Sequence, residues 1–392
     1  MLYFPMRRIY LDHTATTPLD PRAFDEMKPY LTEKFGNPSS IHSFGRETRS
    51  AIDESREQNA KLLGAKPGEI IFISCGTEAN NFALKGYSNK MRERGKDHII
   101  TSKTEHHSIL ETCEYLENNG FRISYLNVDE FGMIDPDDVQ KSMNSRTGLI
   151  SIMHANNETG TINQVKAISN IAHDCGGIFH TDAVQSFGKI PVDVDELGVD
   201  LLSISAHKFY GPKGIGVLYI RGGIEIERLI HGGGQERGKR AGTENIAYAV
   251  GLAKAAELIC GERTSESKRI SDLKNQMIKI LKEQFPFVLF NGHPTESLPN
   301  VVNISFDSRK IDLDGESLLM NLDLAGIAVS SGSACTSGSI KPSHVLIAMG
   351  RDMETAKASI RFSLGRSTTM EDIEYTVDVL QNIVKRIGMI KC

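Results

Sequence analysis

The sequence predicts an α/β fold: a large domain with a mostly parallel central sheet covered by helices, followed by a smaller α+β domain. From about residue 48, helical patterns alternate with short apolar runs, which is typical of parallel strands buried on both faces. The predicted strands are 69–73, 98–101, 147–153, 177–180, 201–205 and 216–220. One helix between strands is predicted at 162–175.

The domain boundary is predicted near residue 265. A polar stretch at 261–267 precedes a long helical pattern at 270–285 and an apolar strand at 300–306. We therefore assign residues 16–264 to the large domain and 265–392 to the small domain. The small domain would carry a cysteine-containing loop at about 328–340.

Composition excludes several classes of protein. The 392 residues are 40% apolar and carry a net charge of −5, so a phosphate backbone is not expected as the main ligand. No run of 18 apolar residues indicates a membrane span, and residues 1–8 lack the charge order of a signal peptide. The six cysteines are scattered, which argues against a metal site and against a disulfide scaffold. We expect a cytoplasmic protein.

Lys208 is the most informative residue. The apolar strand 201–205 places its amine in a glycine-rich turn, and Asp182 follows the preceding predicted strand, 177–180. Pyridoxal phosphate (PLP) needs a lysine for its aldehyde and an acid beside its pyridine nitrogen, so this pair predicts PLP. A solvated surface lysine would be the usual interpretation of a lone residue at this position.

Other polar turns also follow predicted strands. Residues 74–81 open a helix with Gly76 and Thr77, which favours an anion site, although a simple capped helix would look the same. Ser205 and His207 add donors one strand away, so a phosphate site is predicted. The loop 232–243 is glycine-rich and basic, and its Thr243 could reach a phosphate in its own subunit or in a neighbour.

Two further turns are less specific. His106 follows a strand, where an imidazole could stack on a pyridine ring and move protons, or could be an ordinary surface histidine. Asn157 lies in the polar turn 154–160, whose amides could bind a phenolic oxygen or a substrate carboxylate, although a plain turn is the alternative.

Cys335 lies at the centre of a segment of small residues, 330–339. Such a segment forms no core, so the thiol is predicted to be an exposed nucleophile on a mobile loop; a linker with an incidental thiol is the alternative. Further on, Arg361 and Arg366 lie near a strand, and one of them could bind a carboxylate with both arms of its guanidinium.

Together, these motifs resemble the cysteine desulfurases of the NifS/IscS family, which are fold-type I PLP enzymes related to the class V aminotransferases. The resemblance extends from 10–18 to 361–369. It implies that Lys208 binds PLP covalently, Asp182 pairs with the pyridine nitrogen and Gln185 bonds the ring oxygen. His106 would stack on the ring and be favoured over His107. The phosphate would be held by Gly76, Thr77, Ser205 and His207, and by Thr243 from the partner subunit of a homodimer.

The resemblance also implies a reaction. Asn157 and Arg361 would fix the carboxylate of L-cysteine, with Asn157 also beside the cofactor. Cys335 would take the sulfur as a persulfide, leaving L-alanine, and pass it to an acceptor such as an iron–sulfur scaffold or a tRNA-thiolation protein. An N-terminal arm, residues 1–15, would join the small domain. A selenocysteine lyase or aminotransferase of the same fold, and a catalytically silent scaffold, are the alternatives.

Overall fold

The computed structural model describes residues 7–331 and 341–391. Its strands are β1 (Ile9–Tyr10), β2 (Ile70–Ile73), β3 (His98–Ser102), β4 (Arg122–Leu126), β5 (Thr147–Ser151), β6 (Ile178–Asp182), β7 (Leu201–Ser205), β8 (Gly216–Ile220), β9 (Val288–Asn291), β10 (Val301–Phe306), β11 (Ile311–Asp312), β12 (Ile327–Ala328), β13 (Ser359–Ser363) and β14 (Met389–Ile390). Its helices are α1 (Pro21–Thr32), α2 (Ser43–Leu63), α3 (Gly76–Glu93), α4 (His107–Asn118), α5 (Pro136–Ser142), α6 (Val165–Asp174), α7 (Val194–Leu197), α8 (Ile246–Gln284), α9 (Gly315–Leu324), α10 (His344–Ala348), α11 (Met353–Lys357) and α12 (Met370–Ile387). None of these helices is long and apolar enough to cross a membrane.

The central sheet has seven strands in the order β2-β8-β7-β6-β5-β3-β4. The neighbours from β7 to β4 are all parallel, whereas β8 is antiparallel to both β7 and β2. The predicted mostly parallel sheet is therefore confirmed. The sequence analysis missed β4, because this edge strand is only partly buried and lacks a continuous apolar run.

The buried apolar residues of the described chain form two large cores. The first lies on the two faces of the central sheet, as one cluster with side chains from Ala23 to Ile259 and another with side chains from Ile71 to Ile220. The second core gathers Ile9 and Leu11 with side chains from Ile270 to Val384. Both cores draw on α8, so this helix passes from the first core to the second.

The polar stretch 261–267 does not interrupt the helix that connects these cores. We predicted a separating segment there, but the residues lie inside the continuous helix α8. None of them is buried, and a helical turn that crosses from one core to another in solvent needs no apolar face. Its polarity therefore reflects exposure and does not mark a linker.

The second core contains the antiparallel sheet β9-β10-β13. The start of the described chain joins it, because β1 pairs in parallel with β12 and Asp12 forms a bridge with Ser363. The residues that follow Asp12 then reach the edge of the central sheet, where Thr17 N donates to the backbone oxygen of His207 at 2.9 Å. This N-terminal segment therefore contacts both cores.

A buried ion pair fastens the loop 232–243 to the large core. Arg56 on α2 binds Glu236 through two contacts, of 2.7 and 3.0 Å, and both side chains are only 3% exposed. The same guanidinium donates to the backbone oxygen of Ile70, and Glu236 accepts from the backbone N–H of Phe72. The pair is thus hydrogen-bonded to β2 as well as to itself.

We expect Arg56→Met to lower the free energy of unfolding by about 3–5 kcal/mol, because it leaves the Glu236 carboxylate buried without its charge partner. Urea unfolding followed by circular dichroism measures the change. Glu93→Gln is the matched control, since its pair with Lys90 lies on the surface and should scarcely move the midpoint. Equal shifts for the two variants would contradict this role of Arg56.

Candidate active site

The site lies where five strands of common direction end. Strands β2, β3, β5, β6 and β7 run the same way, so their carboxyl ends meet at one edge of the sheet, where ligands bind in open α/β sheets. A cavity of about 360 Å³ opens there. It is lined by ten residues that the sequence analysis singled out: Gly76, Thr77, His106, Asn157, Asp182, Gln185, Ser205, His207, Lys208 and Arg361.

Two predicted site residues, Thr243 and Cys335, are not among the described residues that line this cavity. Thr243 lies instead in a separate depression with Ser74 and Arg240, and it is exposed. Arg240 of the same loop binds Glu78, on the first turn of α3, at 3.0 Å. Cys335 lies outside the described residues.

Lys208 projects into the cavity from a 3₁₀ turn directly after β7. Its Nζ donates to the backbone oxygens of Thr14 and Ala15, at 2.6 and 2.7 Å. Burial and the positive charge of Arg361 lower its pKa to about 8, while Asp182 and Asp12 oppose this shift. The amine is therefore mainly charged at pH 7, but a larger fraction of it is uncharged than for an exposed lysine.

Asp182 is the last residue of β6, and its two carboxylate oxygens are held by different donors. Asn80 donates its side-chain amide to Oδ2 at 2.7 Å, and the backbone N–H of Val184 donates to Oδ1 at 2.9 Å. The residue is 7% exposed. These two donors fix the orientation of the carboxylate toward the cavity that it lines.

His106 caps the N-terminus of α4. Its Nδ1 accepts from the backbone N–H of Ser108 at 3.1 Å, which places the proton of the neutral ring on Nε2. Burial lowers the pKa of His106, with Asp182 opposing the shift. The ring is therefore mainly neutral near pH 7 and carries one N–H that does not serve the cap.

Arg361 lies on β13, opposite the end of the central sheet, and is 5% exposed. Its Nη1 donates to the backbone oxygen of Asn157 at 3.0 Å, and its Nη2 donates to Oδ1 of Asp12 at 2.9 Å. Arg366 does not share this position; it binds Asp20 and Glu262. The structure therefore distinguishes the two arginines that local sequence left equivalent.

Several residues of the site were missed by sequence reasoning. Asp12 contacts Arg361, and Thr14 accepts hydrogen bonds from both Lys208 and Gln185 through its backbone oxygen. The only signal for them was the polar segment after the first apolar residues of the chain. Ser330 and His344 line the cavity on either side of the segment 332–340.

Comparison with known proteins places the chain in a family. Residues 9–376 match the class V aminotransferase family model. A protein named cysteine desulfurase IscS from Dictyoglomus turgidum is 55% identical over 98% of this chain and 96% of its own length. One from Methanosarcina thermophila is 47% identical over 97% and 93%. The chain belongs to the class V aminotransferase family, among its cysteine desulfurases.

Solved structures of such proteins agree in fold. A NifS-like protein superposes with a TM-score of 0.90 at 39% identity, covering 97% of this chain and all of that one. A structure titled SspA in complex with cysteine has a TM-score of 0.81 at 38% identity, covering 91% of this chain and 98% of that one. The predicted family and fold are therefore confirmed.

Cysteine desulfurases of this family depend on PLP, and the cavity fits that cofactor. Ser205 Oγ and Gln185 Oε1 are buried and have no hydrogen-bond partner among the described residues, so both are available to a ligand. Gly76 opens α3 beside them, and a Cβ there would come within 2.8 Å of Val184. The missing side chain keeps free the first turn of the helix, where backbone N–H groups bind phosphate.

His207 lines the cavity together with Gly76 and Ser205. Its Nδ1 lies 3.1 Å from the hydroxyl of Thr16, and burial together with Lys208 lowers its pKa to about 4. The ring is therefore neutral at pH 7 and contributes through hydrogen bonding. In this cysteine desulfurase, Arg361, the charged form of Lys208 and the dipole of α3 contribute positive electrostatic potential to the cavity.

The pKa of Lys208 gives a direct test of the cavity's electrostatics. In the cofactor-free protein, labelling of Lys208 by acetic anhydride should reach half its maximal rate near pH 8, because burial disfavours the charged amine. Peptide mass spectrometry measures the rate against pH. The same lysine in urea-unfolded protein should require a pH about two units higher. Identical profiles in folded and unfolded protein would contradict the assignment.

Proposed function

We propose that the chain converts L-cysteine to L-alanine and retains the sulfur as a persulfide on Cys335. One observation carries the proposal: the Lys208 amine, the Asp182 carboxylate and the Arg361 guanidinium share a cavity whose wall includes Ser330 and His344. These two residues flank the segment that contains Cys335. The related structure of SspA in complex with cysteine supports this choice of substrate.

In this proposal Lys208 holds PLP, with Asp182 at the pyridine nitrogen, Gln185 at the ring oxygen and His106 against the ring. Gly76, Thr77, Ser205 and His207 hold the phosphate. When bound, PLP withdraws electrons from the substrate's Cα and weakens the bonds around it. Because burial lowers the pKa of Lys208 to about 8, its Nζ would be suited to take the proton from Cα and to return one.

Arg361 and Asn157 would fix the substrate by its carboxylate. The guanidinium Nε is buried without a partner among the described residues, so Arg361 retains a donor for an incoming carboxylate. Asn157 positions Arg361 through its backbone oxygen, which leaves its side-chain amide for the substrate or the ring.

The sulfur transfer itself requires no outside oxidant. The Cys335 thiolate would attack the substrate sulfur, forming an S–S bond while the Cβ–S bond breaks. The electron pair of the broken bond stays with the carbon skeleton, and protonation at Cβ completes L-alanine. His106 is suited to this proton traffic, because its neutral ring has a proton on Nε2 that does not serve the helix cap.

The wider setting of the reaction is also part of the proposal. A second thiol, on an acceptor protein such as an iron–sulfur scaffold or a tRNA-thiolation protein, would take the sulfur by exchange. We propose a cytoplasmic homodimer whose Thr243 reaches the partner's phosphate. The division into an arm (1–15), a large domain (16–264) and a small domain (265–392) is supported by the two cores, which change between Ile259 and Ile270.

Cys335→Ala tests the central claim. With L-cysteine, PLP and a reductant, the variant should form alanine and sulfide at least about a hundredfold more slowly, because the attacking thiolate is gone. Its cofactor absorbance should be unchanged. Cys175→Ala is the matched control, since Cys175 is an exposed thiol on another surface. Undiminished turnover by Cys335→Ala would refute the persulfide, and turnover of selenocysteine alone would indicate a selenium-selective lyase.

The dimer is tested separately. Light scattering should give twice the mass of the 43.2 kDa chain, and Thr243→Ala should weaken PLP binding about tenfold by removing a donor to the phosphate. Thr295→Ala, at another exposed position, is the control. A monomeric protein, or equal PLP affinity in both variants, would contradict the role of Thr243.

A further inference from the structure

The arginine proposed to bind the substrate's carboxylate already contacts a carboxylate of its own chain. Asp12 Oδ1 lies 2.9 Å from Arg361 Nη2, in a part of the structure where the two side chains are only 17% and 6% exposed. Asp12 therefore stands in for the acid group that an amino acid would present. A charge pair so sheltered from solvent interacts more strongly than a pair on the surface.

Asp12 is held in this position by its surroundings. Its backbone forms a bridge with Ser363, which is on the same strand as Arg361. The hydroxyl of Tyr10 donates to the backbone oxygen of Asp12 at 3.1 Å. Its second carboxylate oxygen lies 3.4 Å from the hydroxyl of Ser330. The contact between Asp12 and Arg361 is thus set by backbone pairing, and a bound amino acid meets a guanidinium that already has an anion beside it.

We propose that Asp12 is a specificity-determining residue that sets, through Arg361, how tightly the cavity holds amino-acid carboxylates. The inference rests on the proposed role of Arg361. An incoming carboxylate must either displace the Asp12 carboxylate or share the guanidinium with it, and sharing brings two negative charges together. Both routes weaken the binding of substrate and of product, and the weakening is most useful for releasing L-alanine, which offers the site little beyond its carboxylate and amine.

The same contact reaches two other parts of the site. Asp12 is close enough to Lys208 to raise the pKa of that amine, so its charge acts on the proposed proton acceptor as well as on Arg361. Ser330, which contacts Asp12, exchanges backbone hydrogen bonds of 2.6 and 3.3 Å with Arg361. The Asp12 carboxylate thus contacts both the guanidinium of Arg361 and a residue just before the cysteine-containing segment.

The test compares the binding of L-alanine to holoenzyme variants by isothermal titration calorimetry. Asp12→Asn keeps the shape and a hydrogen-bond acceptor but removes the competing charge, so L-alanine should bind about five- to tenfold more tightly. The KM for L-cysteine should fall with it, with kcat changing less. Asp12→Ala provides a second variant, and Asp312→Asn, which removes an exposed charge elsewhere, should leave the affinity unchanged. Thermal unfolding and cofactor absorbance verify that each variant is folded and loaded.

A double-mutant cycle separates this inference from the role of Arg361. Arg361→Lys should weaken L-alanine binding, and in that background Asp12→Asn should have less than a twofold effect. If Arg361→Lys binds L-alanine normally, the role of Arg361 fails and the inference with it. If Arg361→Lys weakens binding but Asp12→Asn does not tighten it, or tightens it equally in both backgrounds, the role of Arg361 stands and the inference is overturned.

Discussion

The common direction of the strands β2, β3, β5, β6 and β7 is the constraint on which the site depends. Each strand is short and buried. Because the strands share one direction, the polar residues that follow them lie at the same edge of the sheet. The anion-binding turn, the imidazole, the carboxylate and the amine come from four different strand ends. No single local segment could supply all four functions within one cavity.

The N-terminal segment completes the site from the other core. Ile9 and Leu11 are buried with the second core, while the backbone oxygen of Thr14 accepts from Lys208 and from Gln185. These residues belong to one short segment of the chain. A movement between the two cores would therefore alter the environment of the Lys208 amine. The position of the small core and the chemistry of the lysine are linked by ordinary hydrogen bonds.

Burial makes the charges in this cavity act on one another. Desolvation and Arg361 lower the pKa of Lys208, whereas Asp182 and Asp12 favour its charged form. His207 is neutral because it is buried beside Lys208. In the proposed site, N–H and hydroxyl donors would therefore hold much of the phosphate. Such preorganised dipoles need little rearrangement during a reaction.

The sequence by itself determined the fold class and the cofactor, because an apolar strand followed by a turn of particular chemistry is a local pattern. The same pattern singled out most of the predicted residues that line the cavity, whereas Gln185 and the choice of Arg361 over Arg366 came from the family resemblance. The tertiary structure decided what lies between distant segments. It placed Asp12 against Arg361, 349 positions away, and put Thr243 outside the cavity formed by its own chain. It also showed that 261–267 is part of a continuous helix between the two cores and does not separate them as a linker. Local periodicity records which side chains are buried, but not which distant partner meets them, since that depends on how the two cores pack.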